Sequence, residues 1–370
     1  MIYLDNAATT YPKPPSVLKA VCDTMARCGN PGRSGHKLAL ESGRVIMQAR
    51  EELAQFMGVD DPDRLVFCFN CTDALNLAIK GIVQPGWHVA STYWEHNSVL
   101  RVLKRLQREG IITLTLADNL EDALTPNTNF AVCTHASNVT GRIMPIEKLG
   151  RKVQDLGALF LVDGAQSAGI LPLTLESAHA DMIAVPGHKG LFGPQGTGAL
   201  CLSERAAAML TPLKEGGTGT SSESMLQPDE LPERFESGTL NTPGIAGLLE
   251  GVRFASAHRQ EIYEHELFLT TYLCNALNNI KGVAVYGPSL STQRVGVVAF
   301  NVYDLTSGQV ADQLDSLDVC VRAGLHCAPG AHEMLGTLER GAVRASVGFF
   351  NTLADVNALI DQVSRIARTV

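Results

Sequence analysis

The chain predicts an α/β fold, with a large domain around a mostly parallel central sheet and a smaller C-terminal α+β domain. Three observations carry this. Short apolar runs alternate with helix-period stretches through the first part of the sequence. After one long helical stretch the pattern changes to closely spaced strand-like runs ended by a last helix. The length, 370 residues, exceeds what one compact core usually holds and fits two domains, or one large domain with an appendage.

Strand-like sequence begins at Ile2. Residues 44–57 then place Val45, Ile46, Ala49, Leu53 and Phe56 on one helical face. Apolar runs at 65–69, 88–92, 130–133, 159–162 and 182–185 read as buried strands, with helical sequence between most of them. Residues 215–233, rich in Gly, Ser and Pro, predict a long loop. A helix is expected over 259–278, with Ile262, Leu269, Leu273 and Leu277 along its stripe. Runs at 283–286, 295–303, 319–322 and 342–347 read as strands of the smaller unit. Thr352-Leu-Ala-Asp355 is a capping signature for a last helix carrying Val356, Ile360, Val363 and Ile366.

Composition narrows the function classes. Hydrophobic residues make up 45% and the formal net charge is −8. That fits a globular enzyme and argues against nucleic acid or an anionic membrane as partner. No run approaches the length of a membrane span, and no basic segment leads into an apolar one at the start. The expectation is a cytoplasmic protein with reduced thiols. The nine cysteines are scattered. Cys68 and Cys71 have C-x-x-C spacing, but no second pair completes a metal site, so no metal is expected.

The residues just beyond each strand of the first domain are decisive. Asn70-Cys-Thr-Asp73 succeeds the first run and Tyr93-Trp-Glu-His96 the second; the third leads to Thr134-His-Ala-Ser-Asn138. Asp163-Gly-Ala-Gln166 succeeds the fourth, and Gly187-His188-Lys189 the fifth. Singly, each residue has an innocent role as a helix cap, a turn residue or a satisfied histidine. Together they put a hydroxyl, an imidazole, an amide, a carboxylate and an amine where open α/β sheets bind ligands, beyond the carboxyl ends of the strands. That set meets the needs of pyridoxal 5′-phosphate. Its aldehyde needs a lysine, its pyridine nitrogen a carboxylate, and its phosphate backbone N–H groups and hydroxyls. Lys189, Asp163 and Thr72 answer these three needs.

Nearly end to end, from Tyr3-Leu-Asp-Asn-Ala-Ala-Thr-Thr10 through Gly187-His-Lys189 to Arg344-Ala-Ser-Val-Gly-Phe-Phe-Asn-Thr352, the chain resembles the cysteine desulfurases. These are class V aminotransferases, enzymes of fold type I that use pyridoxal phosphate. The resemblance implies an N-terminal segment, 1–15, packing on the small domain. It implies a large cofactor domain over 16–255, and a small domain over 256–370 carrying the reactive cysteine and the substrate arginine. Lys189 resembles the Schiff-base lysine and Asp163 the partner of the pyridine nitrogen. Gln166 and Asn138 resemble the groups around the ring's phenolic oxygen, and His96 the imidazole stacked on the ring. Thr72 and His188 resemble phosphate ligands, with Cys71 where a second threonine is common and Pro186 where many relatives have a serine. Thr239, in Phe235-Glu-Ser-Gly-Thr239, resembles the hydroxyl that reaches the phosphate of a partner subunit, implying a homodimer with shared sites. Arg344 resembles the guanidinium that binds the substrate carboxylate. Arg33 and His36 resemble a substrate-side loop.

Arg322-Ala-Gly-Leu-His-Cys-Ala-Pro329 separates sulfur transfer from other chemistry of the family. Abstracting sulfur needs a thiolate to attack and keep it, whereas an aminotransferase needs none. Cys327 stands in that frame, 17 residues before Arg344, a spacing similar to the short-loop branch. The resemblance implies conversion of L-cysteine to L-alanine, with sulfur held on Cys327 as a persulfide and passed to an acceptor protein the sequence does not name. Selenocysteine lyase activity uses the same site. An aminotransferase or C–S lyase would keep the cofactor set and leave Cys327 incidental.

Overall fold

The computed structural model describes residues 1–32, 35–289 and 292–369. Its strands are β1 (Ile2–Tyr3), β2 (Leu65–Cys68), β3 (Trp87–Thr92), β4 (Ile112–Ala117), β5 (Thr128–Thr134), β6 (Leu159–Asp163) and β7 (Met182–Pro186). Then come β8 (Gly198–Leu202), β9 (Val283–Tyr286), β10 (Val297–Val302), β11 (Val319–Cys320), β12 (Arg322–Gly324) and β13 (Ala342–Ser346).

Seven strands form the central sheet in the order β2-β8-β7-β6-β5-β3-β4. All run one way except β8, which is antiparallel to both neighbours. Helices on both faces bury it, so alternate residues of each strand enter opposite cores. Phe160, Val162, Ile183 and Val185 face one core, while Leu159, Leu161, Met182 and Ala184 face the other. The five expected strand ends therefore lie at one edge.

Two strands of this sheet carry no clear signal in the sequence. β4 alternates threonine with apolar residues and is half-exposed at the sheet edge. β8 is fully buried but starts inside a glycine cluster, which hides its apolar run. The strand expected over 319–322 is in fact two. β11 pairs in parallel with β1, and after Val321 the chain changes partner so that β12 pairs with β13. The small sheet has the order β12-β13-β10-β9.

The helix expected over 259–278 starts earlier and runs over Thr242–Asn278. Pro243 occupies its first turn, and the Asn241 side chain accepts the Gly244 N–H at 3.0 Å. The boundary expected at 255 thus falls within one continuous helix. Its second half packs Leu269, Leu273 and Leu277 into the small-domain core with Val298, Phe300 and Val343. The last helix, Leu353–Arg368, has the full Thr352–Asp355 capping box. Residues 210–241 contain neither helix nor strand.

Close backbone approach fixes the loop after β7. A Cβ on Gly169 would stand 1.9 Å from the Gly190 carbonyl oxygen, and Gly169 also has φ +87°. Only glycine meets both demands. The N-terminal segment clamps the same loop. Thr10 N–H and Oγ1, Thr9 Oγ1 and Lys13 Nζ all donate to the His188 carbonyl, and Thr10 Oγ1 lies 2.6 Å from the Lys189 carbonyl.

Candidate active site

A cavity of about 270 Å³ opens at the carboxyl ends of β2, β3, β5, β6 and β7. Its lining includes Cys71, Thr72, His96, Asn138, Asp163, Gln166, His188, Lys189, Arg322 and Arg344. Most residues singled out from sequence thus meet in one place.

Lys189 sits on the turn after β7. Burial pulls its amine below the usual lysine pKa, and Arg344 and Arg322 add to this, against the opposing pull of Cys71 and Asp163. A lysine held this way has more of its free-base form available for attack. Asp163 ends β6 and is buried; desolvation raises its pKa. Its Oδ1 accepts the Ala165 N–H at 2.9 Å and the Cys71 thiol at 3.6 Å. Cys71 itself is pushed well above the usual thiol range by burial and then by Asp163. It is therefore a neutral donor to Asp163.

His96 caps the helix Asn97–Arg108, its Nδ1 accepting the Ser98 N–H at 3.1 Å. Burial, then Lys189 and Arg322, lowers its pKa to about 4, so the ring is neutral at physiological pH. His188 is likewise lowered to about 4 by burial, and its Nδ1 is buried without a hydrogen-bond partner. Beside it the helix Cys71–Ile82 presents its N-terminus, where backbone N–H groups favour an anion. Gln166 Nε2 donates to the Ala7 carbonyl at 3.0 Å, and Asn138 Nδ2 to the His326 carbonyl at 2.7 Å.

Arg344, on β13, is 1% exposed. One Nη donates to Asp5 at 2.7 Å and the other to the Asn138 carbonyl at 3.1 Å, while Nε has no partner. Two of its five N–H donors are thus committed, leaving the fork able to take a carboxylate. Cys327 is half-buried, on a four-residue link between β12 and the short helix Pro329–Met334. Its Sγ lies 3.8 Å from an Arg322 Nη. Cys327 does not line the cavity itself, but its neighbours Arg322 and His326 do.

Two expected residues stand elsewhere. Thr239 is exposed and away from its own chain's cavity. His36 is exposed and caps the helix Lys37–Met57 through Nδ1, which accepts the Ala39 N–H. Arg33 lies outside the described residues. Sequence reasoning gives no role to Asp5 or to two buried carboxyl groups. Glu95 lies behind Thr134, and Glu266 shares a cavity of about 30 Å³ with Lys189 and Gln166. Burial raises both to about 8. Asp5 is detectable as a charge in a strand-like apolar segment; the two glutamates give no such signal. Among the described residues, no cluster could hold a metal ion and no helix is long and apolar enough to cross a membrane.

The family model described as aminotransferase class V matches residues 2–359. A "probable cysteine desulfurase" of Methanothermobacter thermautotrophicus is 34% identical over 99% of this chain and 94% of its own length. The apo structure of a cysteine desulfurase from Thermococcus onnurineus superposes with a TM-score of 0.93 at 32% identity, covering 100% of this chain and 95% of that one. The Escherichia coli cysteine desulfurase CsdA gives 0.88 at 25% identity, with the same coverage.

Proposed function

The chain belongs to the class-V aminotransferase family, and we propose that it is a pyridoxal-phosphate-dependent cysteine desulfurase that takes sulfur from L-cysteine onto Cys327 and leaves L-alanine. The observation that carries this is the Cys327 thiol, held beside Arg322 on a loop bonded to the wall of the cavity that contains Lys189, Asp163 and Arg344.

The residues fit the cofactor. Asp163, a buried carboxyl raised by desolvation, gains most from a cationic N–H partner, which a protonated pyridine supplies. The orphaned Nδ1 of His188, Thr72 and the adjacent helix N-terminus suit a phosphate. The neutral His96 ring suits stacking, and Gln166 and Asn138 suit the phenolic oxygen. When bound, the cofactor supplies an electron sink for chemistry at the substrate α-carbon.

The protein's own groups do the rest. The spare donors of Arg344 orient the substrate carboxylate. Lys189, its amine eased toward the neutral form, moves the α-proton at Nζ. Arg322, its Nη 3.8 Å from Cys327 Sγ, is the cation beside the sulfur, which reacts as a thiolate. That thiolate attacks the substrate sulfur; the new S–S bond forms as the Cβ–S bond breaks, and protonation of the remaining carbon skeleton gives alanine. The thiol's own proton leaves to solvent or a neighbouring base. The half-buried position leaves the persulfide reachable by an acceptor protein. Thr239, exposed and beyond its own cavity, fits a homodimer in which it completes the partner's phosphate site. A cytoplasmic location fits nine cysteines in no disulfide.

Incubating Cys327→Ala with L-cysteine tests the proposal. The variant is expected to bind the substrate but form neither alanine nor sulfide, while the wild-type Cys327 peptide gains one sulfur atom, about 32 Da. Pyruvate and sulfide released by the variant as fast as the wild type turns over would instead make the protein a C–S lyase, and alanine at the wild-type rate would remove Cys327 as the sulfur acceptor.

A further inference from the structure

His326 and Cys327 are consecutive non-glycine residues in the left-handed region, at φ 51° and 56°. Such a conformation is strained for a residue with a Cβ and persists only where its surroundings hold it. Both carbonyls of the pair are held from the large domain. Asn138 Nδ2 donates to the His326 carbonyl at 2.7 Å, and the Asn97 N–H donates to the Cys327 carbonyl at 2.7 Å. The His326 side chain is held from the other side, by a buried chain of polar groups. His326 Nε2 lies 3.3 Å from the Arg322 carbonyl and its Nδ1 lies 3.1 Å from His332 Nε2. His332 Nδ1 lies 2.8 Å from Thr337 Oγ1.

The protons of this chain are set by its ends. A carbonyl only accepts, so His326 Nε2 carries the proton that meets Arg322. A neutral His326 then accepts at Nδ1, which requires His332 to donate from Nε2. A neutral His332 accepts at Nδ1, and the Thr337 hydroxyl supplies that donor. A charged His332 would donate from both nitrogens. It is fully buried, however, and burial draws its pKa to about 4; burial, and then Arg344, draws His326 to about 3. All three groups point one way, from Thr337 to the Arg322 carbonyl.

We propose that His332 and Thr337 are positioning residues for Cys327: their one-way relay fixes the protons of His326 and holds the left-handed His326–Cys327 pair beside Arg322. His326 Nε2–H is spent on the Arg322 carbonyl, the residue whose guanidinium faces the sulfur. The relay thus ties the thiol and its cation into one unit, and His326 acts as a strut rather than as the base for the thiol. The proposal rests on Cys327 being the sulfur acceptor.

The test uses the holoenzyme and Thr337→Val, an isosteric change that removes the first donor. His332 Nδ1 then has no partner in either tautomer, so the proton is no longer held on Nε2, and the Nδ1–H tautomer sets two acceptors against each other at 3.1 Å. Expected are a fall in kcat of about tenfold and an equal slowing of Cys327 persulfide formation, as one hydrogen bond lost in a buried site implies. The KM for L-cysteine and the cofactor absorption band should stay within about twofold, because Arg344 and Lys189 are untouched. Thr337→Ser restores the donor and should recover the rate. His332→Gln, which can still donate to His326, should lose less than His332→Leu. Unchanged kcat in both Thr337→Val and His332→Leu, or failure of Thr337→Ser to recover it, overturns the proposal. If the wild type forms no persulfide, the desulfurase assignment is what fails. The relay is then judged by iodoacetamide: alkylation of Cys327 slows about threefold or more in Thr337→Val if the relay holds the thiol by Arg322, and is unchanged if it does not.

Discussion

Arg344 on β13 stands directly opposite Arg322 on β12, so two guanidinium groups share one face of an antiparallel pair. Like charges so placed repel, and each lowers the cost of an anion nearby. Asp5 pairs with Arg344 at 2.7 Å, while the Cys327 sulfur is the group near Arg322. The pair therefore has one permanent carboxylate and attraction left for a second anion. A free amino-acid carboxylate and a thiolate both satisfy it.

Replacing Arg344 with lysine keeps a charge but removes the planar fork. L-cysteine affinity is expected to fall about tenfold to a thousandfold, roughly 1.5–4 kcal/mol, with the cofactor spectrum preserved. Substrate titration followed by absorbance measures it. Unchanged affinity would take Arg344 out of the substrate site.

Lys189→Ala removes the amine that meets the cofactor aldehyde. The variant should purify without the visible band of the wild type, and borohydride should add no cofactor mass to it. A normal band in Lys189→Ala would rule out this lysine as the attachment point.

The strand ends are legible because parallel strands buried on both faces read as short, unbroken apolar runs, and each run stops at its chemistry. Lys189, Asp163 and Asn138 lie within a few residues of their strands, so local sequence places them on the cavity. Asp5 and Arg344 meet across 339 positions, and no local pattern announces that contact. The His326–His332–Thr337 chain is hidden for another reason: its spacing is local, but its meaning depends on burial. Strand β4 is obscured because a half-exposed edge tolerates threonine, and β8 because its glycines serve the neighbouring loops.

Thr239 offers a test of subunit sharing, since it is exposed and absent from its own chain's cavity. If it completes the site of a second copy, Thr239→Val should weaken cofactor binding by about tenfold, near 1.4 kcal/mol. Sedimentation should show a dimer for the wild type. A monomer with full activity and tightly held cofactor would contradict shared sites.

Glu266 links the active site to pH-dependent stability. It is buried on the helix Thr242–Asn278, and desolvation raises its carboxyl from 4.5 to about 8. Between those pH values the unfolded chain has released a proton that the folded chain keeps. Stability is therefore lost progressively as pH rises through that window, and the full penalty is present above about pH 8. Glu266→Gln removes this titration while keeping the side chain's size. At pH 5 the variant should match the wild type within about 1 kcal/mol, and at pH 8 it should be more stable by about 2–4 kcal/mol. Glu95, also raised to about 8, titrates in both proteins and cancels in the difference. Urea unfolding of each protein at the two pH values gives the comparison. Parallel pH profiles would mean that Glu266 ionises in the folded protein as readily as in the unfolded chain.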